Sequence, residues 1–165
     1  MEVFETVRTL LAVRSFGDTA VPDALVQRIV EASHLTASSM NQQPWHFIVV
    51  QQRETLQQLG SVARSGPYIA QAALAIVVVI EHTPFAVSDA SRAIQSMMLT
   101  AWAEGVGSNW VGFGGLQQVN ALLDIPENLE VFAIVPFGYP AHAVGKGRKQ
   151  RKPFDAVVSR ERFGA

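Results

Sequence analysis

The sequence predicts a single domain of mixed α and β structure, and three observations carry that expectation. Its 165 residues suit one domain with a core large enough to fold alone. Three apolar, partly β-branched runs, at Trp45–Val50, Leu74–Ile80 and Leu129–Phe137, have strand length. Between them lie stretches whose apolar residues recur three and four apart, the spacing of amphipathic helices. No repeat, linker or low-complexity segment divides the chain, so one domain is expected over residues 1–165.

The elements follow in order. Val3, Phe4, Val7, Leu10 and Leu11 mark a first helix over residues 3–12, interrupted at Gly17-Asp18. Pro22-Asp23 opens a second, with Pro in the first turn where its missing N–H does no harm, and with Leu25, Val26, Ile29 and Val30 facing inward. The polar stretch Ser38–Gln43 reads as a loop, and Pro44 fixes φ at its end. Phe47–Val50 reads as a buried strand. A polar helix over residues 54–63 turns Leu56, Leu59 and Val62 inward until Ser65-Gly66-Pro67 breaks it. After the Leu74–Ile80 strand comes the longest helical stretch, residues 88–104. It carries few charges and lines Ala90, Ile94, Met97, Met98 and Ala101 on one side, which makes it a central buried helix. Its methionines read as core rather than cofactor contacts. Gly105 to Gly107 ends it. A short strand over residues 109–111, a glycine-rich loop, a short helix over residues 116–123 and the Leu129–Phe137 strand complete the order. Alternation of this kind by itself suggests a parallel, doubly wound sheet.

Composition narrows the class. Hydrophobic residues make up 48% and charged residues 16%, apolar enough to predict surface buried against a second chain, with a well-packed monomer as the alternative. With no cysteine, thiolate metal sites and thiol nucleophiles are excluded. His34, His46, His82 and His142 lack metal-ligand spacing. Asp89 and Glu104 stand isolated in sequence, so no paired-carboxylate hydrolase is indicated. The start has no signal-peptide pattern and no apolar run nears the roughly 20 residues of a membrane span. A cytoplasmic protein without membrane partners is the expectation.

Three stretches could bind a ligand. The Ser38–Gln43 loop offers hydroxyls at Ser38 and Ser39 and amides at Asn41 and Gln43, suited to a flat small molecule with polar edges; the alternative is a loop that caps the preceding helix. Lys146, Arg148, Lys149, Arg151 and Lys152 fall within seven residues, in a chain whose net charge is −1. Such a run suits an anion, although a solvated tail has the same composition. No stacking aromatic interleaves these charges, so nucleic acid is not indicated. Gly112-Phe113-Gly114-Gly115 follows a strand and precedes a helix, yet Gln117 stands where a dinucleotide fingerprint needs its third glycine.

Together these stretches resemble the flavin-dependent nitroreductase family. Ser38-Ser39-Met40-Asn41-Gln42-Gln43-Pro44-Trp45 is similar to its S-x-x-N-x-Q-P-W segment. Val13-Arg14-Ser15-Phe16, Val21-Pro22, Gly105-Val106-Gly107-Ser108-Asn109-Trp110, Phe137-Gly138-Tyr139-Pro140 and Arg151-Lys152-Pro153 follow in family order. The resemblance implies an α+β fold with a mostly antiparallel central sheet surrounded by helices, in an intertwined homodimer. It implies FMN as cofactor, bound where the two chains meet. NADH or NADPH would reduce the flavin and leave, and an electron-poor acceptor such as a nitroaromatic or quinone would enter the same pocket. Lys149 and Arg151 match a Lys-x-Arg that reaches the flavin phosphate. Ser38, Ser39 and Asn41 match positions touching the flavin from the other chain. Val111, Gly112 and Phe113 fall where backbone N–H groups face the ring near N5, and Ser65 near a further contact. No side-chain acid, base or nucleophile is required, because the ring carries the chemistry. The chain also lacks the long insertion many members have before the central helix.

One departure stands out. Aligned on Arg14, the family's R-R-S positions hold Leu10, Leu11 and Ala12, and only Arg14 keeps its type. Arg8, one turn earlier, is the nearest substitute. The alternative function is therefore the same fold with weakened flavin binding, acting as a small-ligand-binding or regulatory dimer.

Overall fold

A computed structural model of the chain describes residues 1–112, 116–145 and 149–164. Five helices and four strands are present among them: α1 (Val3–Thr9), α2 (Asp23–His34), β1 (Trp45–Val50), α3 (Arg53–Val62), β2 (Leu74–Glu81), α4 (Ala86–Ala103), β3 (Gly107–Ser108), α5 (Gln117–Leu122) and β4 (Leu129–Gly138). The strands form one sheet in the order β1-β2-β4-β3, and each neighbouring pair is antiparallel. The parallel sheet suggested by simple alternation is not formed, and the α+β arrangement is.

β2 explains the layering. Its side chains alternate between two faces. Leu74, Ile76, Val78 and Ile80 join α2 and α4 in one core, while Ala75, Val77 and Val79 join α3 and α5 in the other. With helices on both faces, the strand is apolar at every position up to Ile80. β1, at the edge, is only half covered: His46 and Val49 are exposed and Val50 alone is buried. The buried strand expected here is thus an edge strand, whose apolar residues pack on one side.

α4 presents Ala86, Asp89, Ala90, Ala93, Ile94, Met97 and Ala101 to the interior. It ends where Gly105 takes φ +80, which lets the N–H of Val106 reach the Ala101 carbonyl at 2.9 Å. The chain then enters β3, two residues nearer than the expected strand. Val111 instead makes a single bridge to Ile134.

The N-terminal segment also differs from expectation. α1 stops at Thr9, because Ala12 pairs with Ser108 and the Val13 N–H donates to the Ser108 carbonyl at 2.9 Å. A Cβ on Gly107 would lie 2.5 Å from Cγ2 and 2.7 Å from Cβ of Val13. Gly107→Ala is therefore expected to destabilise the fold by about 1–3 kcal/mol, lowering the melting temperature by roughly 2–12 °C. A thermal melt checks this.

The apolar residues of α1 do not enter this core. Val3, Phe4 and Val7 are exposed, as are Phe154, Val157, Val158 and Phe163 in the tail. The chain exposes 10125 Å², where a compact monomer of this mass exposes about 8,000 Å².

Candidate functional site

The Ser38–Gln43 loop is built under strain. Met40, Asn41 and Gln43 have φ of 53, 56 and 52, left-handed values that cost an L-residue of ordinary side chain about 1–2 kcal/mol each. A 3-10 turn spans Ser39–Asn41. Internal bonds hold it: the Gln43 N–H donates to Ser38 Oγ at 2.9 Å, and Gln43 Nε2 donates to the Asn41 carbonyl at 3.1 Å. Ser39 ties it to the body. Its N–H and its hydroxyl donate to Oδ2 and Oδ1 of Asp89, each at 3.0 Å. Asp89 is not isolated, as its sequence position indicated, but fully buried and also paired with Arg92. Burial pushes its carboxyl up, while the Ser39 N–H, the Ser39 hydroxyl and Arg92 together outweigh that and hold it below its ordinary value. Glu104, the other such carboxylate, pairs with Arg28 at 3.1 Å.

A second group gathers around Val111. The turn that carries Ser65 closes with a bond from the Gly66 N–H to the Ala63 carbonyl at 2.8 Å. A Cβ on Gly66 would lie 2.8 Å from both methyls of Val111, so this turn sits against it. Val111 is buried and commits its N–H and carbonyl to Ile134, at 2.9 and 2.8 Å. Its backbone donor is therefore taken, and a donor toward a ligand falls to Gly112 or beyond. Phe113 lies outside the described residues. Beside this group Asn109, also buried, donates to the Tyr68 hydroxyl and to the Trp110 carbonyl. This polar pair joins residues 41 positions apart, and local sequence gave no sign of it.

The third group is cationic. Lys149 Nζ donates to the Val7 carbonyl at 2.7 Å, stitching the tail to the end of α1. Burial first, then the charges of Arg151 and Arg8, hold its ammonium below the ordinary lysine value. These three cations thus share one corner. Glu5 pairs with Arg8 at 2.6 Å, but among the described residues no carboxylate pairs with Lys149 or Arg151. Arg14 is exposed, between Val13, bonded to Ser108, and Ser15, whose carbonyl accepts the Ala141 N–H at 3.0 Å. Lys146 and Arg148 lie outside the described residues. Among those described, no cluster of His, Asp and Glu could hold a metal ion, and no helix is long and apolar enough to cross a membrane.

Within one chain the Ser38–Gln43 loop does not meet the corner where α1 ends. The Pro44 carbonyl accepts the N–H of Glu81, at one end of β2, whereas Ser108 and Phe137 pair near Leu74 at the other, roughly 24 Å away at strand rise. α4 gives the same measure. Asp89 binds Ser39 near its start and Trp102 donates to Thr9 near its end, roughly 20 Å along the helix.

Known proteins are similar to this chain in sequence and in fold. The model of the Nitroreductase family matches residues 11–83 and 70–139. A protein of Methanothermobacter thermautotrophicus, provisionally named an NADH dehydrogenase/NAD(P)H nitroreductase, is 35% identical over 154 residues, 88% of this chain and 81% of its own. One of the same name from Archaeoglobus fulgidus is 34% identical over 149 residues, 84% of this chain and 86% of its own. The solved structure of an FMN-dependent nitroreductase from Clostridium difficile has a TM-score of 0.88 at 25% identity, over 97% of this chain and 99% of that one.

Proposed function

The chain belongs to the nitroreductase family, NAD(P)H-dependent flavin oxidoreductases that use FMN, and from that premise we propose that it binds FMN where two copies meet and passes reducing equivalents from NADH or NADPH to an electron-poor acceptor such as a nitroaromatic or quinone. The observation that carries this is the bond from Lys149 to the Val7 carbonyl, which brings the cations of the tail to Arg8 at the end of α1. Like charges gathered in one place are costly until an anion arrives. The donors fit a phosphate monoester: guanidinium groups make paired bonds and an ammonium adds a point charge.

When bound, FMN supplies the hydride and electron transfer. The chain's own residues bind and orient. Lys149 and Arg151 hold the phosphate, with Arg8 and Arg14 adding positive field. Gly112 and Phe113 would offer backbone N–H groups to the ring edge, with Ser65 as a further contact. Ser38, Ser39 and Asn41 serve the site of the other chain. The separation of 20 Å or more within one chain supports this, since one mononucleotide cannot touch both ends. The uncovered apolar residues of α1 and the tail, and a surface well above that of a compact monomer, support a homodimer. Residues 1–165 act as one domain in each copy.

Lys149 makes the binding depend on pH. Below its lowered pKa in the free protein, Lys149 is charged before and after binding, and affinity is flat. Above it, FMN must draw a proton onto the amine, so affinity falls as pH rises, until the raised pKa of the bound state is passed. Titrations from neutral to strongly alkaline pH check this, and Lys149→Arg is expected to abolish the fall, because guanidinium stays charged.

A second reading is favoured by Leu10, Leu11 and Ala12, which place no anion donor where the family has R-R-S. Under it, the dimer binds another small ligand and takes FMN weakly. Anaerobic mixing of the FMN-loaded protein with NADH and with NADPH, then with a quinone, separates the two. Flavin absorbance that bleaches and recovers supports the oxidoreductase; bound flavin that neither nucleotide bleaches contradicts it.

A further inference from the structure

Asp89 is a carboxylate in the wrong company. The inward face of α4 is otherwise Ala90, Ala93, Ile94 and Met97, and Asp89 is as fully buried as they are. A buried charge is costly unless it is bonded and paired. Its partners are the N–H and hydroxyl of Ser39 and the guanidinium of Arg92. Ser39 directly precedes the left-handed residues Met40, Asn41 and Gln43. The loop's other bonds are local, from the Asn41 N–H to the Ser38 carbonyl, the Gln42 N–H to the Ser39 carbonyl, the Gln43 N–H to Ser38 Oγ and the Trp45 N–H to the Gln43 carbonyl. The Asp89 latch is thus what joins this strained turn to the rigid central helix. Arg92, half-exposed, neutralises the carboxylate, so an anionic ligand nearby meets no net negative charge there.

We propose that Asp89 is a positioning residue for flavin binding: through Ser39 it holds Ser38, Ser39 and Asn41 in the shape in which they meet the FMN of the partner chain's site. This rests on the two-chain reading above. Asp89 itself touches no ligand. Its loss frees Ser39 and lets Met40, Asn41 and Gln43 relax toward ordinary φ, so the loop spends less time in the shape that binds.

Asp89→Asn keeps the size and one acceptor oxygen but loses the charge and the second acceptor. It is expected to weaken FMN binding about 10–100-fold, the scale seen when hydrogen-bonded support behind a ligand group is removed, while the FMN-free protein still melts cooperatively. Mixed dimers then test where the effect lands. One chain carries Asp89→Asn and the other Lys149→Ala with Arg151→Ala, under different affinity tags. If Asp89 acts on the partner's site, one site of the mixed dimer has an intact loop and an intact tail, and the other has neither. The mixed dimer should then bind one FMN with wild-type affinity, half the wild-type stoichiometry, although neither parent does. A mixed dimer no better than its parents overturns the proposal, as does Asp89→Asn binding FMN like the wild type. Loss of the cooperative melt in Asp89→Asn also overturns it, since Asp89 would then be needed for folding. Failure of the wild type itself to bind FMN would instead strike the functional reading on which the proposal rests.

Discussion

Replacing both Lys149 and Arg151 by alanine is expected to weaken FMN binding by roughly 10²–10⁴-fold, from about 1.5–3 kcal/mol for each hydrogen bond to a charged group. Among the described residues no carboxylate pairs with either side chain. Their roles differ. Lys149 also bonds the Val7 carbonyl at 2.7 Å, so its removal loosens the tail from α1. Arg151 donates to the Gln150 carbonyl at 2.9 Å, a local bond that leaves its fork available to a ligand. The single Arg151→Ala change therefore reads the phosphate contact more cleanly, and should leave the thermal melt of the FMN-free protein nearly unchanged. A flavin fluorescence titration measures both variants. Unchanged affinity in the double variant would place the phosphate elsewhere.

Phe137→Ala is expected to destabilise the fold by about 3–5 kcal/mol, which lowers the melting temperature by roughly 6–20 °C. Phe137 is fully buried and lies where three strands meet, opposite Leu74 on β2 and Ser108 on β3. Its carbonyl accepts the Ala73 N–H at 2.9 Å. The same corner holds the N-terminal segment, because Ser108 pairs with Ala12. A cavity here removes packing behind the strand that positions Val13 and Arg14, so FMN affinity should fall together with stability. Thermal melts with and without FMN separate the two effects. A melt within about 1 °C of wild type would contradict the packing described, given a shift of about 2–4 °C per kcal/mol.

Strands and helices were legible where local pattern and burial agree. β2 could be found because helices cover both its faces, which demands apolar residues throughout. α4 could be found because its buried side repeats at helical spacing. β1 looked like a buried strand because Phe47, Ile48 and Val49 are apolar, yet its place at the sheet edge leaves Val49 exposed. α1 misled for a related reason. Val3, Phe4 and Val7 have the spacing of a buried face, but they are exposed. Sequence pattern records that a face is apolar and not which chain buries it. Strand direction was not legible from alternation at all, and came from the family resemblance.

The candidate site was legible as three separate stretches. Resemblance supplied Ser38, Ser39, Asn41, Lys149 and Arg151 as candidates, and the fold adds what stands behind them. Asp89 meets Ser39 across 50 positions, and Lys149 meets Val7 across 142. Contacts at such separations leave no periodic trace. Val111 shows the reverse case: its place in the family pattern indicated a backbone donor, and only the bridge to Ile134 reveals that its N–H is already used.

The most direct measurement is the flavin content and mass of the purified protein after incubation with excess FMN and desalting, read by absorbance and by light scattering on one column. One FMN per chain, carried by a dimer, is the expected result. A colourless protein would contradict flavin binding and turn attention to other small ligands. A monomer carrying a full complement of FMN would contradict the site built from two chains.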